Sequence, residues 1–85
     1  KMTEKLNLSE ILKTQITISF KTMIADPNLT YKQTRDHMSV MFLHLCETDV
    51  ITVEQKEGLE TRLDKWYKSL YSGDRTFGFI ESLNN

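Results

Sequence analysis

Apolar positions recur at three- and four-residue steps along most of this chain, which is the period of a helix that buries one face. Leu8, Leu12, Ile16, Phe20 and Ile24 follow an i, i+4 rule. Val53, Leu59, Leu63, Trp66 and Leu70 form a second stripe. Between them lies the most apolar run, "MSVMFLHLCE" at 38–47. One stretch competes. In "TQITISF", 14–20, Ile16, Ile18 and Phe20 alternate with Thr17 and Ser19, which is a strand period. The longer i, i+4 stripe wins, because a lone strand in a helical chain has nothing to pair with. The pattern therefore predicts helices near 8–25, 31–47 and 53–71.

The punctuation agrees. "DPN" at 26–28 is a turn, since Pro27 pushes Asp26 out of helical conformation. Thr30-x-x-Gln33 and Thr52-x-x-Gln55 read as capping boxes, and Asn7-x-x-Glu10 as a weaker one at the front. Gly73 in "SGD" sits where a helix C-cap belongs. Gly58, inside the third helix, costs about 1 kcal/mol against alanine. It marks either a close contact or a tolerated residue. In the tail, 74–85, Phe77, Phe79, Ile80 and Leu83 are a heavy apolar load. Asp74 or Thr76 is placed to cap a short last helix that folds back, or else the tail docks on another subunit.

Eighty-five residues make one domain, 1–85. The expected fold is all-α: a three-helix bundle with a short C-terminal helix or docked tail. A core of this size is only marginally stable, which favours self-association, and a homodimer is expected. The formal net charge of -1, from 11 basic and 12 acidic residues, gives no global field toward nucleic acid. A single cysteine forms no internal disulfide and fits a reducing compartment. No stretch resembles a signal peptide or a membrane span, so a soluble, cytoplasmic protein is expected, with its start at Met2 or nearby.

Catalytic and metal chemistry lack parts. His44 and Cys46 lie about 200° apart around a helix, and His37 lies about 10 Å from His44 along it. Zinc needs each ligand atom within about 2.0–2.3 Å. The same geometry separates Cys46 from His44 as a nucleophile pair. No glycine-rich loop or Gly-x-Ser-x-Gly elbow is present. The carboxylates Glu57, Glu60 and Asp64 occupy a solvated face. No enzyme, cofactor or metal is expected. Cys46 reads as core. His44, flanked by Leu43 and Leu45, reads as a residue at the core edge or in a helix–helix contact, whose nitrogens need partners.

Two binding readings remain. "RLDKWYKSLYSGDR" at 62–75 mixes Arg62, Lys65, Lys68 and Arg75 with Trp66, Tyr67 and Tyr71, a pattern that tracks phosphates and stacks bases. Asp64 and Asp74 dilute it. Interface anchors draw on the same aromatic and arginine types without needing net positive charge, so protein binding is favoured. The candidate interface residues are Phe42, His44, Trp66, Tyr67, Tyr71, Phe77 and Phe79.

In length, solubility, its single cysteine and the apolar "MFLHLCE" helix bearing His44, the chain resembles the small lysine-, isoleucine- and asparagine-rich regulatory proteins of T-even bacteriophages. Within that group it resembles the cytoplasmic antiholins of the third rapid-lysis locus. The resemblance implies binding to the cytoplasmic part of a holin, which delays lysis. It also implies that changes at His44 disturb the fold or that contact.

Overall fold

A computed structural model describes residues 6–70 and 78–84 of the chain. The candidate residues Tyr71, Arg75 and Phe77 lie outside the described residues, as do Gly73, Asp74 and Thr76. The fold is all-α: α1 (Glu10–Ala25), α2 (Tyr31–Glu47), α3 (Val53–Ser69) and the short α4 (Gly78–Ser82). No strand occurs among the described residues. α2 is the middle element, packed on α1 at one flank and on α3 at the other, and α4 packs on α3.

Both capping boxes form in full. The Gln33 N–H donates to Thr30 Oγ1 at 3.0 Å, and the Thr30 N–H donates to Gln33 Oε1 at 2.8 Å. Thr52 and Gln55 repeat the arrangement at 3.0 and 2.9 Å. Each box satisfies two of the N–H groups that a helix start leaves open. The front of the chain departs from expectation. α1 begins two residues later than predicted, capped by Ser9, whose Oγ accepts from the Leu12 N–H at 3.2 Å. Asn7 does not cap. Its carbonyl accepts from Gln55 Nε2 at 3.0 Å, which ties an extended arm to the start of α3.

That arm carries Leu6 and Leu8 into the core, and it explains Gly58. A Cβ at position 58 would fall 2.8 Å from Leu6 Cδ2 and 3.3 Å from Arg62 Nη1. The glycine thus gives up helix propensity to seat the arm, a contact with a segment rather than with a helix. Val53, assigned by spacing to the inner stripe of α3, is exposed, and Ile51 just before the cap is buried in its place.

The loops close as the sequence implies. Asp26 leaves the helix at φ -80°, ψ 114°, and its carboxylate accepts from the Asn28 N–H at 2.9 Å. α2 ends in a Schellman motif: the Val50 N–H reaches the Leu45 carbonyl at 2.9 Å, and the Asp49 N–H reaches that of Cys46 at 3.1 Å. The left-handed residue this motif requires is Asp49, at φ 63°.

Three phenylalanines organise the core. Phe20 of α1, Phe42 of α2 and Phe79 of α4 are fully buried. Phe20 meets the Trp66 ring edge-on at 4.9 Å between centroids, and Phe79 also at 4.9 Å, while Phe79 lies 6.2 Å from Phe42. A five-residue helix cannot stand alone in water. α4 holds because Phe79 and Leu83 are buried, each worth about 1.5–3 kcal/mol. The tail therefore docks on its own chain.

Candidate functional site

Of the interface residues expected from sequence, Phe42, Trp66 and Phe79 belong to this core, at 0%, 4% and 0% exposure. This corrects their assignment as contact residues: their rings are packed on one another, so a partner meeting the folded domain does not reach them. His44 is also displaced from its expected place. It is exposed on α2 rather than wedged between helices, although its backbone carbonyl accepts from the Thr48 N–H at 3.0 Å and the Thr48 hydroxyl at 2.9 Å. Cys46 is partly buried against the core, as read.

The basic patch fares unevenly. Lys65 and Lys68 are exposed. Arg62 is not, and this corrects its assignment to a phosphate site. Its side chain lies inward at 7% exposure, donating from Nε to the Ser82 carbonyl and from Nη1 to the Gly58 carbonyl, both at 3.1 Å. Burial pushes its pKa down. A guanidinium remains charged even so, and here it donates to one backbone oxygen at the end of α4 and one within α3.

Tyr67 keeps its candidacy, and the structure supplies it with neighbours that the sequence did not pair with it. The C-terminal half of α3 runs beside the N-terminal half of α2. Arg35 of α2 lays its guanidinium over the Tyr67 ring, 4.9 Å from the centroid. The Tyr31 ring meets Trp66 edge-on at 6.1 Å, and Trp66 lies 6.2 Å from Tyr67. Tyr31 is 38% exposed and Tyr67 is half-buried. The result is a surface of two tyrosines and an arginine over a buried tryptophan. Tyr31 and Arg35 were legible as an i, i+4 pair, but their meeting with Tyr67 depends on the register of α2 against α3.

The electrostatics of the patch are local. Arg35 Nη2 donates to Asp36 at 2.9 Å, and Lys32 donates to the other oxygen of the same carboxylate at 2.8 Å. Lys32, and then Arg35, hold Asp36 below the ordinary carboxylate value. Asp36 in turn raises Arg35. A polar cleft of about 310 Å³ continues between α2 and α3, lined by Arg35, Asp36, Ser39, Glu60, Leu63 and Asp64. Glu60 is paired there with Lys56 at 3.4 Å. Asp36 thus takes both Lys32 and Arg35, and Arg35 also lies 3.9 Å from Asp64.

Among the described residues no cluster of three His, Cys, Asp or Glu side chains is placed to hold a metal ion. No described helix is long and apolar enough to cross a membrane. Comparison with known proteins finds no matching family model, no similar curated protein and no similar solved structure.

Proposed function

We propose that this chain is a non-catalytic regulator that acts by binding another protein, of antiholin type, holding a holin inactive from the cytoplasmic side. The observation that carries the binding reading is the Tyr31–Arg35–Tyr67 surface. Tyrosine and arginine backed by a buried tryptophan are the residue types that dominate interface energetics. The guanidinium stacked at 4.9 Å is held in place before any partner arrives, which lowers the ordering cost of association. The antiholin class rests on the sequence resemblance: length, a single cysteine, and the apolar helix bearing His44.

The test is a crosslinked pull-down from phage-infected cells with the tagged chain, nuclease added, and partners identified by mass spectrometry. A holin is the expected catch. Tyr67→Ala combined with Arg35→Ala is expected to reduce that capture at least about tenfold, while circular dichroism shows unchanged helicity. Recovery of nucleic-acid machinery alone, lost on nuclease treatment, would instead favour a phosphate-binding regulator using Lys65 and Lys68. Binding of that kind weakens steeply with salt and is abolished by Lys65→Gln with Lys68→Gln.

A further inference from the structure

Arg62 is the one buried charged residue among those described, and the proposed partner surface does not use it. Carrying a guanidinium out of water is costly unless its donors are met, so its position asks for a reason. Its neighbours supply one. Nε donates to the Ser82 carbonyl and Nη1 to the Gly58 carbonyl, each at 3.1 Å. The first bond reaches the last turn of α4, where a short helix leaves carbonyls without intrahelical partners. The second lies on a stripe of α3 formed by Gln55, Gly58 and Arg62 at i, i+3 and i+7. That stripe is where the N-terminal arm is seated. Gln55 Nε2 donates to the Asn7 carbonyl at 3.0 Å, and buried Leu6 puts its Cδ2 2.8 Å from the place a Cβ on Gly58 would take. Arg62 Nη1 is 3.3 Å from that same point. The leucine methyl and the guanidinium therefore flank one glycine, and through them the two ends of the chain meet.

We infer that the arm is a strap for α4, acting through Arg62, so that freeing one end frees the other. The physical link is water. A hydrogen bond from a charged donor is stronger where water is excluded, and Leu6 is part of the cover over the guanidinium. With Leu6 lifted, water reaches Nη1 and competes with the backbone oxygens. The bond to Ser82 weakens, and α4 loses the contact that holds its C-terminal end. Coupling of this kind is reciprocal by thermodynamic necessity, so loss of α4 loosens the arm by the same factor.

Release changes more than the ends of the chain. Phe79 of α4 lies against Phe20 and Phe42, at 4.9 and 6.2 Å between centroids, and all three are fully buried. Lifting α4 uncovers the two rings that stay behind on α1 and α2. A helix of five residues does not persist away from the core, so undocking also unfolds it. The two states are therefore discrete: both ends seated, or both released with an aromatic face open. The docked α4 is a cover, and the arm controls it.

Hydrogen exchange of the full chain, read by NMR, tests this. The Leu83 and Asn84 amides, which donate to the Ile80 and Glu81 carbonyls, report on α4. In Leu6→Ala they should exchange at least about tenfold faster relative to amides in the middle of α2. The ratio matters, because a global loss of stability speeds both sets together. In an Arg62→Met background the same Leu6→Ala change should leave that ratio where it was, since the link is gone. Leu83→Ala should in turn shift the Gln55 side-chain amide resonances toward those of a free glutamine. A ratio that stays level or falls in Leu6→Ala overturns the inference. So does one that rises equally with and without Arg62. Should Arg62→Met fail to fold, the Gln55 resonances decide: movement in Leu83→Ala supports the strap, and unmoved resonances sink it.

Discussion

The two flanks of α2 solve the same packing problem with different materials. Against α3, the seam is closed by long side chains: Arg35 spans to Tyr67, Trp66 receives Tyr31 edge-on, and ion pairs line what space remains. Against α1, the outer seam is walled by Gln15 and Ser19 and stays open over an apolar floor. The difference teaches how a small domain divides its surface. Where aromatic and guanidinium groups interlock, the seam is closed and its outer edge is aromatic and cationic. Where uncharged residues leave the seam open, apolar side chains stay exposed.

The comparison breaks most visibly at Phe79. It lies under the closed side, in ring contact with Phe20 and Phe42, and truncation to alanine should cost about 3–5 kcal/mol. That is a large part of what a domain of this size has to lose. Ile18→Ala, on the open side, should move the denaturation midpoint of the monomer by no more than a surface change does, within about 0.5 kcal/mol. Urea titrations of the two variants at a concentration where the chain is monomeric make the measurement. Equal losses would mean that the seams do not differ in the way described.

How much of this was legible beforehand depends on the range of the interaction concerned. Local signals held: the boxes at Thr30 and Thr52 formed as their spacing requires, and Pro27 ended α1. The i, i+4 stripe through Ile16 and Phe20 correctly outweighed the strand-like alternation at 14–20. That alternation still carried information. Ile18, the residue that fits the strand period and not the helix stripe, is the one left outside, so two overlapping periods recorded two apolar faces. Register-dependent facts were hidden. No spacing rule brings Arg35 to Tyr67, sends Arg62 inward to the end of α4, or lays Leu6 over Gly58. Aromatic type alone also cannot separate a core anchor from an interface anchor, which is why Phe42, Trp66 and Phe79 were read as contacts.

A smaller effect sharpens the account of the core that both seams share. Thr34 is 1% exposed within α2, and its hydroxyl is the one buried side-chain oxygen without a hydrogen-bond partner among the described residues. An unmet buried hydroxyl is a net cost, and an apolar group of the same shape removes it. Thr34→Val should therefore stabilise the fold by about 1 kcal/mol, read as a higher urea midpoint at unchanged slope. A loss of stability would mean that the hydroxyl has a partner after all.

The smallest effect concerns what fixes α3 beside α2. The turn between them depends on Asp49 at φ 63°, a conformation that L-residues adopt at a cost and glycine adopts freely. Asparagine and aspartate tolerate it better than other side chains, so the strain is modest. Glycine also adds entropy to the unfolded chain, which offsets part of the gain. Asp49→Gly should accordingly stabilise by roughly 0.5 kcal/mol, while Asp49→Val should lose more than that, because a β-branched residue fits the left-handed region worst. Opposite signs for the two substitutions would place the constraint in the backbone. Equal losses would place it in the aspartate side chain, and the Schellman turn would then contribute less to the closed seam than its hydrogen bonds to Leu45 and Cys46 imply.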